Sequence, residues 1–290
     1  MKRIAIACLL VLAGFARAEE TTDAIQLDSQ GRALWSKYNF TDIVQPYEEI
    51  DAFAEIKLTG WIGDGHQFGL YANVLPSYTT ASDFWWQKNV QYGVGAQAYV
   101  VERGDERQWL RGLRFFALAA WRSFYDEPSD ADPVDDDLQA GADYYYDSLF
   151  NRDRNWAIVA FGQASYRDTN FSEEDYGGLL SFGNIQAGPK TEIGSSMVMA
   201  YAVVDWAVSP SHDDKWWENY LRAGGGARWH PFAALASSQD DTTRAEIQKR
   251  FYLFAEYLDN LTWLGDDPPD TVKEYDVRVG LAFSSGDFTR

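Results

Sequence analysis

Glu274-Tyr275-Asp276-Val277-Arg278-Val279-Gly280-Leu281-Ala282-Phe283-Ser284-Ser285 is the stretch on which the fold turns. Tyr275, Val277, Val279, Leu281 and Phe283 take every second place, and Asp276, Arg278, Gly280, Ala282 and Ser284 fill the places between. A period of two marks a strand, because successive side chains leave a pleated backbone on opposite faces. The question is what the unbroken apolar face touches. If it touches lipid, this is the closing strand of a barrel in a bacterial outer membrane, and the pattern must recur upstream.

It recurs throughout. Ala52, Ala54, Ile56 and Leu58 alternate with Phe53, Glu55, Lys57 and Thr59, and Trp61 ends the run. Similar runs follow at Phe68–Val74, Val90–Val100, Leu113–Arg122, Leu138–Tyr146, Trp156–Arg167, Met197–Val208, Leu221–His230 and Phe251–Tyr257. Residues 175–187 are less regular, with Leu180 and Phe182 read as lipid contacts, and residues 33–49 read as a first strand. The total is twelve strands, the even count of bacterial barrels. The runs are about 10–14 residues, closer to a tilted membrane strand than to the soluble average of about 5–6. That length weighs against a soluble sandwich or a lipocalin-like barrel. So does the clustering of Trp61, Trp85, Trp86, Trp109, Trp121, Trp206, Trp216, Trp217 and Trp229 at segment ends, where amphipathic rings form interfacial girdles. With the C-terminus in the periplasm, the acidic segments 126–137 and 263–272 fall outside. Turns 62–66, 102–108 and 148–154 then fall inside, together with one long connector, 231–247.

The N-terminus reads as an export signal: basic Lys2 and Arg3, apolar Ile4–Phe15, then Ala16-Arg17-Ala18 as a cleavage site. The expected organisation is a signal peptide at 1–18, a short periplasmic leader at 19–32, and an all-β, antiparallel up-and-down barrel at 33–290. Cys8, the one cysteine, lies within the signal, so the exported chain has neither disulfides nor thiolate metal sites. The net charge of −19 becomes about −22 once Lys2, Arg3 and Arg17 are removed, the wrong sign for a nucleic-acid binder.

The face opposite lipid lines the lumen. Alternation assigns to it Glu55, Lys57, Gln91, Gln97, Arg114, Arg122, Asp143, Gln163, Arg167, Asp205, Arg222, Arg228, Glu256 and Arg278. Rings of such charges select solutes in a pore, and arginines favour anionic groups; the same side chains can also pair across a barrel and fill it. Tyr99, Phe116, Tyr145 and Tyr252, with Phe161 and Phe254, are candidate platforms for sugar rings or plain packing.

Enzymatic chemistry finds little support. His66 lies in a turn, His212 in the loop Ser209-Pro210-Ser211-His212, and His230 at a strand end reads as an interface residue. None shows a nucleophile–base spacing on a strand. The acidic run Asp126–Asp137 lacks the order of a calcium loop, and Gly224-Gly225-Gly226 lies within a strand rather than in a phosphate loop. No metal or cofactor is expected.

Four stretches carry a family resemblance: Gly93-Val94-Gly95-Ala96, Asp143-Tyr144-Tyr145-Tyr146-Asp147, Phe161-Gly162-Gln163-Ala164-Ser165-Tyr166-Arg167-Asp168, and Tyr220-Leu221-Arg222-Ala223-Gly224-Gly225-Gly226-Ala227-Arg228-Trp229. They resemble the C-terminal barrel region of the outer-membrane phage-adsorption receptor family, which is similar in kind to the barrels ending exopolysaccharide exporters. The resemblance covers roughly residues 33–290. Those relatives carry an N-terminal helical-repeat region, whereas a signal and a leader precede the barrel here. The resemblance implies a conduit for secreted polysaccharide that a phage exploits as receptor, in an outer membrane of lipid and lipopolysaccharide, with a separate periplasmic partner. The alternatives are an oligosaccharide or small-solute porin, a surface barrel serving as receptor or adhesin, and a lipid-modifying enzyme.

Overall fold

The computed structural model describes residues 24–37, 48–63, 65–80, 87–102, 109–125, 135–151, 153–169, 176–212, 214–215, 218–233, 250–266 and 274–284. Expectations for the signal peptide and for most of segments 126–137, 231–247 and 263–272 lie outside these residues, as do Trp85, Trp86, Trp216 and Trp217.

The strands are β1 (Ile25–Lys37), β2 (Glu48–Ile62), β3 (Phe68–Thr79), β4 (Asn89–Tyr99), β5 (Leu113–Phe124), β6 (Asp136–Asp147), β7 (Trp156–Arg167), β8 (Gly178–Ile193), β9 (Ser196–Val208), β10 (Tyr220–His230), β11 (Tyr252–Trp263) and β12 (Tyr275–Ser284). Each pairs antiparallel with its sequence neighbours, and β12 closes on β1 from Gln30↔Ser284 to Lys37↔Val277. Closure leaves no unpaired sheet edge, the condition for a sheet to stand in hydrocarbon. Among the described residues no helix is long and apolar enough to cross a membrane; the chain crosses with strands.

The radial order is that of a membrane barrel. Ile56, Leu58, Leu70, Val94, Phe115, Ile158, Val204, Leu253 and Val279 point outward, and each is at least 39% exposed. Lys57, Thr59, Gln97, Asp137, Arg222, Arg228 and Asp276 point inward and are buried. In water such a continuous apolar band would drive association; in a bilayer it is the solvated surface. Exposed aromatics flank it. Phe68, Trp109, Trp156, Trp229 and Phe232 lie toward the end where β1 starts and β12 finishes. Tyr92, Trp121, Tyr125 and Tyr166 lie toward the other, loop-bearing end.

Sequence expectation and structure part at two elements. β1 begins at Ile25, within the expected leader, and stops at Lys37, so the expected first strand at 33–49 is misplaced. Its inward side is Gln26, Asp28, Gln30, Arg32, Leu34 and Ser36, with Gly31 among the outward residues, so no clean apolar alternation announces it. The irregular segment 175–187 belongs to β8, the longest strand at 16 residues. β8 is joined to β9 by the two-residue turn Gly194-Ser195, with Ile193 paired to Ser196. Gly194 has φ 62°, the conformation that a hairpin turn of this length asks of its first central residue. Leu180 and Phe182 face the lumen, because they pair with inward Ser165 and Gln163; Leu179 and Ile185 take the lipid side.

Candidate functional site: the lumen wall

Side chains fill much of the barrel interior in three groups. Toward the terminus-bearing end, Leu149, Ala157, Val159, Met197, Met199, Tyr201, Val203 and Leu258 form an apolar cluster with Phe150 against it. On the β2–β6 side lies a polar group. Arg114 grips Asp143, with Nε 3.0 Å from Oδ1, and donates to Gln97 Oε1 at 2.8 Å. Lys57 Nζ donates to the same Gln97 oxygen at 3.3 Å and lies over the Tyr71 ring. Glu55 accepts from Asn73 Nδ2 and Gln30 Nε2, each at 2.7 Å.

The third group spans β8–β12 and β1. Arg278 Nε donates to Asp276 Oδ2 at 2.6 Å, and its Nη1 lies 3.7 Å from Asp205 on β9. Asp276 also accepts from Ser36 Oγ at 2.7 Å. Gln186 on β8 donates over β9 and β10 to Glu256 on β11 at 3.0 Å, and Arg228 donates to Gln186. Arg250 binds Asp147 at 2.8 Å, which ties the start of β11 to the end of β6. Buried charges need such partners, since an isolated one costs several kcal/mol. Arg32, on the inner face of β1 above the Phe53 ring, is by contrast exposed. The interior therefore keeps open space beside β1.

All fourteen sequence candidates, from Glu55 to Arg278, lie on the inner face, as the strand register requires. They do not form one ring. Glu55, Lys57, Gln97, Arg114 and Asp143 join the β2–β6 group; Asp205, Arg222, Arg228, Glu256 and Arg278 join the β8–β12 group. Arg122 and Arg167 gather near Asp137 at the loop-bearing end, where Arg167 Nη1 is 3.9 Å from Asp137 Oδ2. Gln91 pairs in register with Arg122, and Gln163 donates to Ser165 at 3.3 Å. The aromatic candidates also face inward: Tyr99 lies beside Trp61, Phe116 under Arg114, Tyr145 within reach of Asp147, and Tyr252 beside Arg228.

Two end-of-strand residues are corrected. Trp61 is no girdle residue: it has the parity of Lys57 and Thr59, is 7% exposed, donates to Gln26 and stacks on His66. His230 is no interface residue: it shares the face of Arg228 and is packed between Phe150 and Tyr252 at 2% exposure. Residues missed by the sequence reading are Arg32, Gln186, Tyr201 and Arg250. Arg32 lay where no strand face had been assigned, and Arg250 and Tyr201 carried the right parity without being singled out.

Loop 209–219 holds a compact cluster. Tyr176 stacks on His212 at 4.1 Å, with Lys215 Nζ 4.6 Å from the Tyr176 ring centroid. The Tyr176 hydroxyl donates to Glu218 at 2.7 Å; burial, reinforced by that carboxylate, pushes the phenol above its usual range. The serine beside His212 is Ser209 rather than Ser211, with Oγ 3.4 Å from Nδ1, and Ser209 is fully buried. Among the described residues no group of three or more His, Cys, Asp or Glu is placed to hold a metal ion.

A closed, twelve-stranded antiparallel barrel with an apolar outer belt, aromatic borders and a polar inner wall is an outer-membrane β-barrel, and its place is the cell outer membrane. No protein-family model and no curated protein matches the chain. Among solved structures it is similar to the β-domain of the Bordetella autotransporter BrkA, at 13% identity and TM-score 0.38, covering 90% of this chain and 99% of that one. It is also similar to the translocator domain of the autotransporter NalP from Neisseria meningitidis, at 11% and 0.36, covering 97% and 95%. An outer-membrane channel from Pseudomonas putida F1 follows at 7% and 0.38, covering 93% and 98%. At these scores the likenesses carry no argument, and the assignment rests on the pairing and radial order above.

Proposed function

We propose that the barrel is a conduit for exopolysaccharide across the outer membrane, its lumen narrowed by its own side chains. One observation carries the reading: the inner wall between β8 and β1 is built from long, hydrogen-bonding side chains, and Arg32 on it faces open space. A wall of guanidinium, carboxylate and amide groups exchanges protein partners for water or sugar hydroxyls at little net cost, and long side chains can swing without disturbing the sheet. The Phe53 ring, beside exposed Arg32, offers a face to the C–H side of a pyranose. A periplasmic partner would deliver the polymer.

The test is planar-bilayer conductance of the purified barrel, joined to polymer secretion by cells lacking the gene. Ion conductance and lost secretion support the conduit. A barrel that never conducts and a deletion that secretes normally contradict it. The strand-skipping contacts Arg278–Asp205, Gln186–Glu256 and Arg250–Asp147 favour a second reading, a non-conducting surface barrel acting as receptor through its loops. Permanent silence in the bilayer together with phage adsorption would select it.

A further inference from the structure

We propose that the space between the Tyr201 and Tyr252 rings is a subsite for the ring of a neutral hexose, held shut in this structure by the guanidinium of Arg228. The inference rests on the conduit reading and names the kind of sugar that reading leaves open.

The Arg228 guanidinium carbon is 5.2 Å from the Tyr201 centroid and 5.1 Å from that of Tyr252, so one planar group occupies the faces of both rings. Arg228 is 4% exposed; it donates to Gln186, and its Nε is buried without a hydrogen-bond partner. Glu256 Oε1 accepts from both Gln186 Nε2 at 3.0 Å and the Tyr201 hydroxyl at 2.9 Å. Gly226 completes the slot, since a Cβ there would stand 2.8 Å from Tyr201 Cζ and Oη. The slot also adjoins open space, because Tyr252 and Arg32 pair with the same residue, Ala282, from opposite sides.

Aromatic faces such as these accept either a weakly hydrated guanidinium or the C–H face of a sugar ring. Arg228 is thus an internal ligand on a flexible stem, and its unpartnered Nε lowers the cost of leaving. Charge decides the class of sugar. Arg228 and Glu256 cancel, and the neighbouring Arg32, Arg222 and Arg278 are offset by Asp51, Asp205 and Asp276, so no net charge draws in a uronate or an ammonium sugar. A neutral hexose needs no such pull: its hydroxyls donate to Glu256 and Gln186 and accept from the displaced Arg228.

The experiment uses the full exported chain in planar bilayers, as wild type, Arg228→Ala and Arg228→Ala/Tyr252→Ala, with assembly checked by the heat-dependent gel mobility of folded barrels. Maltohexaose and hexagalacturonate serve as probes. The expected result is higher conductance in Arg228→Ala than in wild type. Maltohexaose should interrupt that current with dwell times at least about tenfold longer than hexagalacturonate, which meets Glu256 there, and Tyr252→Ala in the same background should shorten them. Equal or longer interruptions by hexagalacturonate overturn the neutral-sugar assignment while leaving the conduit standing. Unchanged conductance in a conducting Arg228→Ala barrel overturns the closure by Arg228. Silence of both wild type and variant in well-folded barrels removes the conduit reading beneath them.

Discussion

Replacing Arg278 with Ala separates a packed interior from a water-filled one. Arg278 donates to Asp276 at 2.6 Å and approaches Asp205 to 3.7 Å; the three side chains are 18%, 0% and 17% exposed. Removing one partner of a buried pair costs about 3–5 kcal/mol, because the other charge is left stranded, whereas an exposed pair is worth about 0–1 kcal/mol. Asp276 keeps Ser36 and Asp205 keeps the nearby Arg222, which places Arg278→Ala at the low end of the buried range, about 3 kcal/mol. The assay is reversible urea unfolding in detergent micelles followed by tryptophan fluorescence. Asp276→Asn completes a double-mutant cycle, with about 1 kcal/mol or more of coupling expected. A loss under about 1 kcal/mol with no coupling would mean that water already screens these charges, and the picture of a lumen narrowed by packed, paired side chains would be wrong.

Three further outcomes follow from the same geometry. Val94→Arg, on the lipid face of β4 at 51% exposure, should cost about 2–4 kcal/mol in the same unfolding assay; no measurable loss would place β4 away from hydrocarbon. Gly224→Val should prevent assembly of the compact form seen on unboiled gels, because a Cβ at this position would collide with the Tyr257 carbonyl oxygen; normal assembly would refute the close approach of β10 to β11. The Tyr176 phenol is raised above its unfolded value of 10.0, so its stabilising contribution is complete below that pH and is lost as pH rises through the folded value. Absorbance titration should show a phenolate forming later than in the unfolded chain, and Tyr176→Phe should remove that component; a component titrating at the ordinary value would contradict the Tyr176–Glu218 contact.

What the sequence revealed and what it hid have one physical origin. Where one face meets lipid and the other meets water or polar partners, a period of two is written in residue type, so β2–β7 and β9–β12 are legible, and with them the inward set from Glu55 to Arg278. The signal fades where both faces are alike. β1 has polar residues on both sides, and in β8 Leu179 faces lipid while Leu180 and Phe182 face the lumen, so residue type no longer gives the parity. Trp61 and His230 misled for a related reason: an aromatic at a strand end suits the membrane border, but it also suits the closing of a barrel mouth. Only register decides between them. Contacts that skip strands, such as β12 to β9 through Arg278 and Asp205, depend on the curvature of the sheet and leave no mark on local sequence.

The central claim is that lipid lies against one face of every strand while the other face encloses a polar interior. Single cysteines placed at positions 91, 92, 94, 96 and 97 of β4 in a Cys8→Ala background can be labelled with a polarity-sensitive fluorophore in vesicles containing a bilayer-depth quencher. The account predicts strong quenching at positions 92, 94 and 96 and weak quenching at 91 and 97. Uniform quenching along the strand, or labels that report bulk water at every position, would contradict it.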